Sequence, residues 1–160
     1  MPTTAAFAAV TTGTTIKTML QVKPSATLGM LIVEWGISFD GSAAATPIKC
    51  ELIETGTVAG TVTASAAADI FKLDAAAIGG GDPSTNLIQV GTTSTGYTCT
   101  SEGTITAVRT FDVQYIAPTN QYVKQFPLGR EPFVQVSNFA RIRVTAGAAV
   151  NAYCYMVVQV

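Results

Sequence analysis

Between residues 105 and 160 the chain runs through five short stretches in which apolar and polar residues alternate, each stopped by turn formers. A period of two puts the apolar set on one face of an extended strand, and connections this short join antiparallel neighbours. In the first stretch Ile105, Ala107, Phe111, Val113 and Tyr115 share a face, interrupted by Arg109, until Ala117-Pro118-Thr119-Asn120 turns the chain. Residues 122–126, 133–136, 140–145 and 152–160 follow, separated by Pro127-Leu128-Gly129, Ser137-Asn138 and Ala146-Gly147. The last is apolar on both faces, as a central or an interface strand would be. Five strands in so little chain predict an all-β, antiparallel sandwich or barrel.

The N-terminal half carries the same texture. Ile16, Thr18, Leu20 and Val22 alternate up to Lys23-Pro24-Ser25. Leu31, Val33, Trp35, Ile37 and Phe39 then form the cleanest apolar face of the chain and are expected in the core, with Trp35 an anchor rather than a ligand platform. Asp40-Gly41 reads as a turn, residues 42–47 as a link, and Ile48, Cys50 and Leu52 as the inner face of a strand paired hairpin-fashion with the one before. The middle is harder to read: a short strand over 58–63, a short helix over 66–78, a loop over 79–85, and Thr/Ser/Gly-rich loops over 91–104 around Tyr97 and Cys99. Residues 1–15, small, uncharged and Thr/Ala-rich, are expected to be an extended arm on a single domain of residues 16–160.

At 160 residues one domain buries roughly 70% of its unfolded surface and can hold a core without staples. Only 12% of the residues are charged, about half the usual share for soluble domains. A surface so poor in charge is expected to be covered in part by neighbours. The net charge of −1 offers no pull on phosphate backbones or anionic lipid, so nucleic acid and membrane surfaces are not expected partners. No apolar run approaches the roughly 18 residues of a spanning helix. Residues 1–10 lack the basic start and apolar core of a secretory signal, and the mature chain is expected to begin near residue 1. Cys50, Cys99 and Cys154 are odd in number and far apart, as reduced structural thiols are.

Catalytic chemistry finds little to work with. The chain has no histidine, which removes the commonest general base and metal ligand and any Ser-His-Asp or Cys-His arrangement. The cysteines form no C-x-x-C pair and the acids no calcium-loop spacing. Gly79-Gly80-Gly81-Asp82-Pro83 has no following G-K-[ST], and Ser94 in GTTSTG is not a nucleophile elbow. We therefore expect no enzymatic role, no cofactor, no metal and no small-molecule substrate. Lys124, Arg130, Arg141 and Arg143 lie close together in sequence, and Arg141 and Arg143 project from one strand face. They are either a solvated sheet face or a set that meets carboxylates on a partner subunit.

Three stretches resemble small head proteins of tailed bacteriophages, the minor capsid or capsid-decoration proteins: VEWGISFDGSAAATPIKCELIETG (residues 33–56), RTFDVQYIAPTNQYVKQFPLGREP (109–132) and NAYCY (151–155). The resemblance implies a β-sandwich or jelly-roll subunit, made in the host cytoplasm and assembled as a homotrimer. On the outside of an icosahedral head it would clamp major capsid subunits and stabilise the shell. No short binding motif carries over residue by residue. The expected partner interface is the arm, with Thr3, Phe7, Val10 and Thr15, and the loop of residues 125–132, with Gln125, Phe126, Pro127, Arg130 and Pro132, joined by Arg141 and Arg143. The alternative is a carbohydrate- or receptor-binding β-module of a phage tail, with Tyr97 or Tyr122 stacking on sugars.

Overall fold

The computed structural model describes residues 9–42, 46–66, 69–71, 73 and 87–160. The strands in them are β1 (Val10–Thr11), β2 (Ile16–Pro24), β3 (Met30–Asp40), β4 (Ile48–Thr55), β5 (Thr61–Ala64), β6 (Ile88–Gln89), β7 (Gly96–Ser101), β8 (Val108–Ile116), β9 (Gln121–Gln125), β10 (Phe133–Val134), β11 (Phe139–Thr145) and β12 (Asn151–Gln159). They form two antiparallel sheets packed face to face, an all-β sandwich. One sheet runs β1-β12-β3-β10, with β9 also on β3; the other runs β5-β7-β2-β11-β4-β8, with β6 on β2.

The pairing is nested. β2 pairs with β11, β3 with β9 and β10, β4 with β8, and β5 with β7, all antiparallel. A long ribbon folded on itself and wound over two sheets gives this nesting, which is the jelly-roll plan. The innermost pair departs from it, because β7 joins β2 and so adds β5 and β7 to the larger sheet.

The expected β3–β4 hairpin is not formed: β3 lies in the smaller sheet and β4 in the larger. Asp40-Gly41 does not reverse the chain but packs on the Ala117-Pro118 turn, where a side chain at Gly41 would meet the Pro118 carbonyl at 2.8 Å and Val150 at 2.9 Å. The face of β3 also differs from simple alternation. Val157 pairs with Glu34 but Val158 with Ile32, so Val33 is an extra residue in the ladder. On one side of this bulge Trp35, Ile37 and Phe39 point inward; on the other, Met30 and Ile32 take the core positions expected for Leu31 and Val33.

The same device corrects β8, which begins at Val108 rather than Ile105. Leu52 pairs with Asp112 and Ile53 with Thr110, skipping Phe111. Asp112, Gln114 and Ile116 therefore share the inner face with Leu52, Cys50 and Ile48. Tyr115, expected in the core, is 72% exposed. The inward Asp112 is satisfied: its carboxylate accepts from Trp35 Nε1 at 3.3 Å and Tyr122 OH at 2.9 Å, and Gln114 Nε2 donates to its other oxygen at 3.0 Å. These bonds join β8 of one sheet to β3 and β9 of the other. Burial, then the neighbouring carboxylate, push the Tyr122 hydroxyl up to about 12, so it stays a donor.

Two further findings concern the termini and thiols. The end of the expected arm is part of the sheet: Val10 and Thr11 pair with Ala152 and Asn151, and the buried Thr12 donates its N–H to the Val150 carbonyl at 2.9 Å. Cys50, Cys99 and Cys154 are free and buried, and burial pushes the Cys50 thiol up to about 12. The loop expected over residues 79–85, and most of the helix expected over 66–78, lie outside the described residues.

Asp112→Ala leaves the buried Trp35 Nε1 and the half-buried Tyr122 hydroxyl and Gln114 amide without this acceptor, a buried donor so stranded costing about 1–3 kcal/mol. Urea unfolding should therefore show a loss of about 3 kcal/mol, with Asp112→Asn, which keeps one acceptor oxygen, losing clearly less.

Candidate interaction surface

The loop between β9 and β10 is pinned at both ends to β3, on either side of the Val33 bulge. Phe126 N–H donates to the Val33 carbonyl at 2.9 Å, and Ile32 N–H donates to the Pro132 carbonyl at 2.9 Å. Between these anchors Arg130 N–H donates to the Pro127 carbonyl at 2.9 Å, closing a four-residue turn. Pro127 and Leu128 occupy its first half, and Gly129 sits at φ +78°, the positive value that the third position of a type II turn demands. Phe126 packs against the core. Leu128 stands at the tip with 94% of its surface exposed. Gln125, Pro127 and Arg130 are exposed beside it, and Pro132 is half-buried. The loop expected to be a rigid contact thus presents an apolar knob on a fixed turn.

A second apolar cluster lies around β10. Phe133, half exposed, folds its ring over Gly29 next to the exposed Leu28. Arg109 donates to the Phe133 carbonyl, lies 4.9 Å from the Phe111 ring centre and pairs with Glu54 at 2.6 Å. The other Glu54 oxygen accepts from Gln135 N–H at 3.0 Å and Asn138 Nδ2 at 2.9 Å. One buried carboxylate therefore fixes the start of β8 and the chain leaving β10.

The arginine row meets carboxylates, but they belong to its own chain. Arg141 has 0% of its side chain exposed. Its guanidinium donates to the Val58 carbonyl at 2.6 Å and the Glu102 carbonyl at 3.1 Å, lies 3.5 Å from the Glu102 carboxylate and faces the Phe139 ring. Glu102 also accepts from Thr18 N–H at 2.5 Å and Thr18 Oγ1 at 2.6 Å. Arg141 is therefore a clasp that holds residues 58 and 102 over the outer face of the larger sheet, and it is removed from the expected interface. Arg143 donates through Nε to Glu51 at 3.1 Å, and Lys49 reaches the other Glu51 oxygen at 2.7 Å. Nothing in local spacing marked Glu102 as a partner, because it lies 39 residues from Arg141 in a segment that reads as loop.

Of the remaining expected residues, Val10 is half-buried in β1 and Thr15 is exposed, while Thr3 and Phe7 lie outside the described residues. Tyr122 turns inward to Asp112 and is no stacking platform; Tyr97 is half-buried on β7. Among the described residues no group of three or more His, Cys, Asp or Glu side chains could hold a metal ion, and no helix is long and apolar enough to cross a membrane. No known protein family matches the chain, nor does any curated protein or solved structure.

Glu102→Ala strands a buried guanidinium, a change that costs about 3–5 kcal/mol, and should lower the unfolding midpoint strongly. Glu51 behaves differently. Burial alone would raise its carboxyl, but Lys49 and Arg143 outweigh this and hold it below its ordinary value of 4.5. A carboxyl depressed on folding contributes stability above its unfolded pKa, and that contribution fades as pH falls through the folded one. Glu51→Gln should therefore cost about 1 kcal/mol at pH 7, with the gap to the parent protein closing below about pH 4 in paired urea titrations.

Proposed function

We propose that this chain is a structural, non-catalytic subunit that assembles as a homotrimer and decorates the icosahedral head of a tailed bacteriophage, binding major capsid subunits on the outer surface. The observation that carries the reading is Leu128, an almost fully exposed apolar side chain on a turn anchored at both ends to a central strand. Holding such a residue in water is unfavourable, and a rigid turn loses little entropy when a partner closes over it. Phe133 and Leu28 form a second exposed apolar cluster, and the two acids and three bases bonded as Glu51 with Lys49 and Arg143, and Glu54 with Arg109, are already paired internally. Further support is the low share of charge, 12%, and the resemblance of residues 33–56, 109–132 and 151–155 to capsid-decoration proteins. An interface of standard size buries about 1,600 Å² in total, and repetition over a lattice makes modest individual contacts strong together.

Light scattering on the purified protein should give about three times 16.6 kDa. It should also bind and crosslink to phage heads through residues 125–132. Leu128→Glu, at a site with no burial to lose, should leave the melting temperature within about 2 °C while weakening attachment at least about tenfold. A monomer at micromolar concentration that ignores heads would overturn the proposal.

A further inference from the structure

We propose that the outer face of the five-stranded sheet holds a binding trough for a neutral hexose unit of a glycan, with Tyr153 and Tyr155 as its aromatic wall. The trough follows from register. The outward residues of β3 are Glu34, Gly36, Ser38 and Asp40. Ser38 stands between Tyr153 of β12 and Gln121 of β9, Gly36 between Tyr155 and Val123, and Glu34 between Val157 and Gln125. Ser38, small and flanked by Tyr153 and Gln121, leaves a floor between two walls, closed at one end where the Tyr155 ring covers Gly36. The cavity measures about 160 Å³ and is lined by Ile37, Ser38, Gln121, Val123, Tyr153 and Tyr155.

The wall is built rather than incidental. The Tyr155 ring leans over Gly36, where a Cβ would overlap it and come within 2.8 Å of Cζ, so only glycine permits this pose. Its hydroxyl donates to Glu34 Oε1 at 2.6 Å, which fixes the ring along the trough. Burial, then Glu34, push that hydroxyl up to about 12, so the donor persists at neutral pH.

The chemistry of the surroundings selects the occupant. A pyranose has a face of C–H groups and a rim of hydroxyls that both donate and accept. The trough offers an aromatic wall and, around it, the hydroxyl of Ser38, the amides of Gln121, Gln125 and Asn151, and the carboxylates of Glu34 and Asp40. None of the outward residues in these rows is basic, so an anionic ligand would find no countercharge. The volume lies below the roughly 300 Å³ at which sites for drug-sized ligands begin, which suits one sugar ring. Leu128 is not among the residues that line this trough, and the inference does not rest on the capsid reading.

The test titrates the full-length, 15N-labelled protein with oligosaccharides ending in glucose, galactose, mannose or N-acetylglucosamine, and separately with a proline-rich peptide. At least one sugar should shift the amides of Gly36, Ser38, Gln121 and Tyr155 with a Kd of about 1 mM, the affinity expected of a shallow site. Tyr153→Ala should weaken that binding at least about tenfold while Tyr153→Phe, which keeps the ring, retains it. Tyr97→Ala, on the other sheet, should leave it unchanged. If Tyr153→Ala does not fold, Gln121→Ala on the exposed opposite wall should still lower affinity at least about threefold. No shift on this face with any sugar at roughly ten times that Kd, or a response there to the peptide alone, would sink the proposal.

Discussion

A strand has a side-chain period of two, so one inserted residue exchanges its inner and outer faces, and three such insertions decide which side chains of this protein reach the core. Met19 is skipped between Leu20 and Thr18 opposite β11, Val33 opposite β12, and Phe111 opposite β4. The Val33 bulge lets Met30 and Ile32 join Trp35 and Ile37 beneath the sheet, and it opens the gap from which the loop of residues 125–132 emerges. The Phe111 bulge turns Asp112 inward, where it bridges the two sheets. The core faces of β3 and β8 and the inward Asp112 follow from where the ladder slips.

Scarce charge is used with economy. Arg141 holds its cover over the larger sheet, Glu54 fixes the region where β8 and β10 meet, and Asp112 joins sheet to sheet. Each of these charges is paired or hydrogen-bonded within the chain, which is the condition on which a buried charge is tolerated, although the buried Arg141 Nε has no hydrogen-bond partner. At the tip of the loop the side chain left most open to solvent is the apolar Leu128, with Gln125 and Arg130 exposed beside it. A chain with few ions has placed several where they specify structure and left its apolar tips for other contacts.

Much of this architecture was legible in the sequence, and the misread strand faces share one physical origin. Alternation and turn residues located β2, β3, β4 and all five C-terminal strands, because local patterning and the final fold agree there. The faces of β3 and β8 were misassigned on one side of each bulge, since Val33 and Phe111 look like ordinary members of an alternating run. The sequence leaves Arg141 either on a solvated face or paired with a partner subunit's carboxylate; its actual partner Glu102 is distant in the same chain, and only the fold brings them together. The knob at Leu128 was foreshadowed by Gly129, whose positive φ the turn demands; the Tyr153–Tyr155 wall was hidden because register alone sets Gly36 and Ser38 beside it.

The pinning of the β9–β10 loop also has a mechanical meaning. Both flanking strands hang on the same edge of β3, so a pull on the tip divides between two sets of backbone hydrogen bonds that must be loaded together. β3 is in turn locked along its opposite edge to β12 from Leu31 to Asp40. Tension delivered at one exposed leucine is thereby spread across the width of a sheet before any single bond has to carry it.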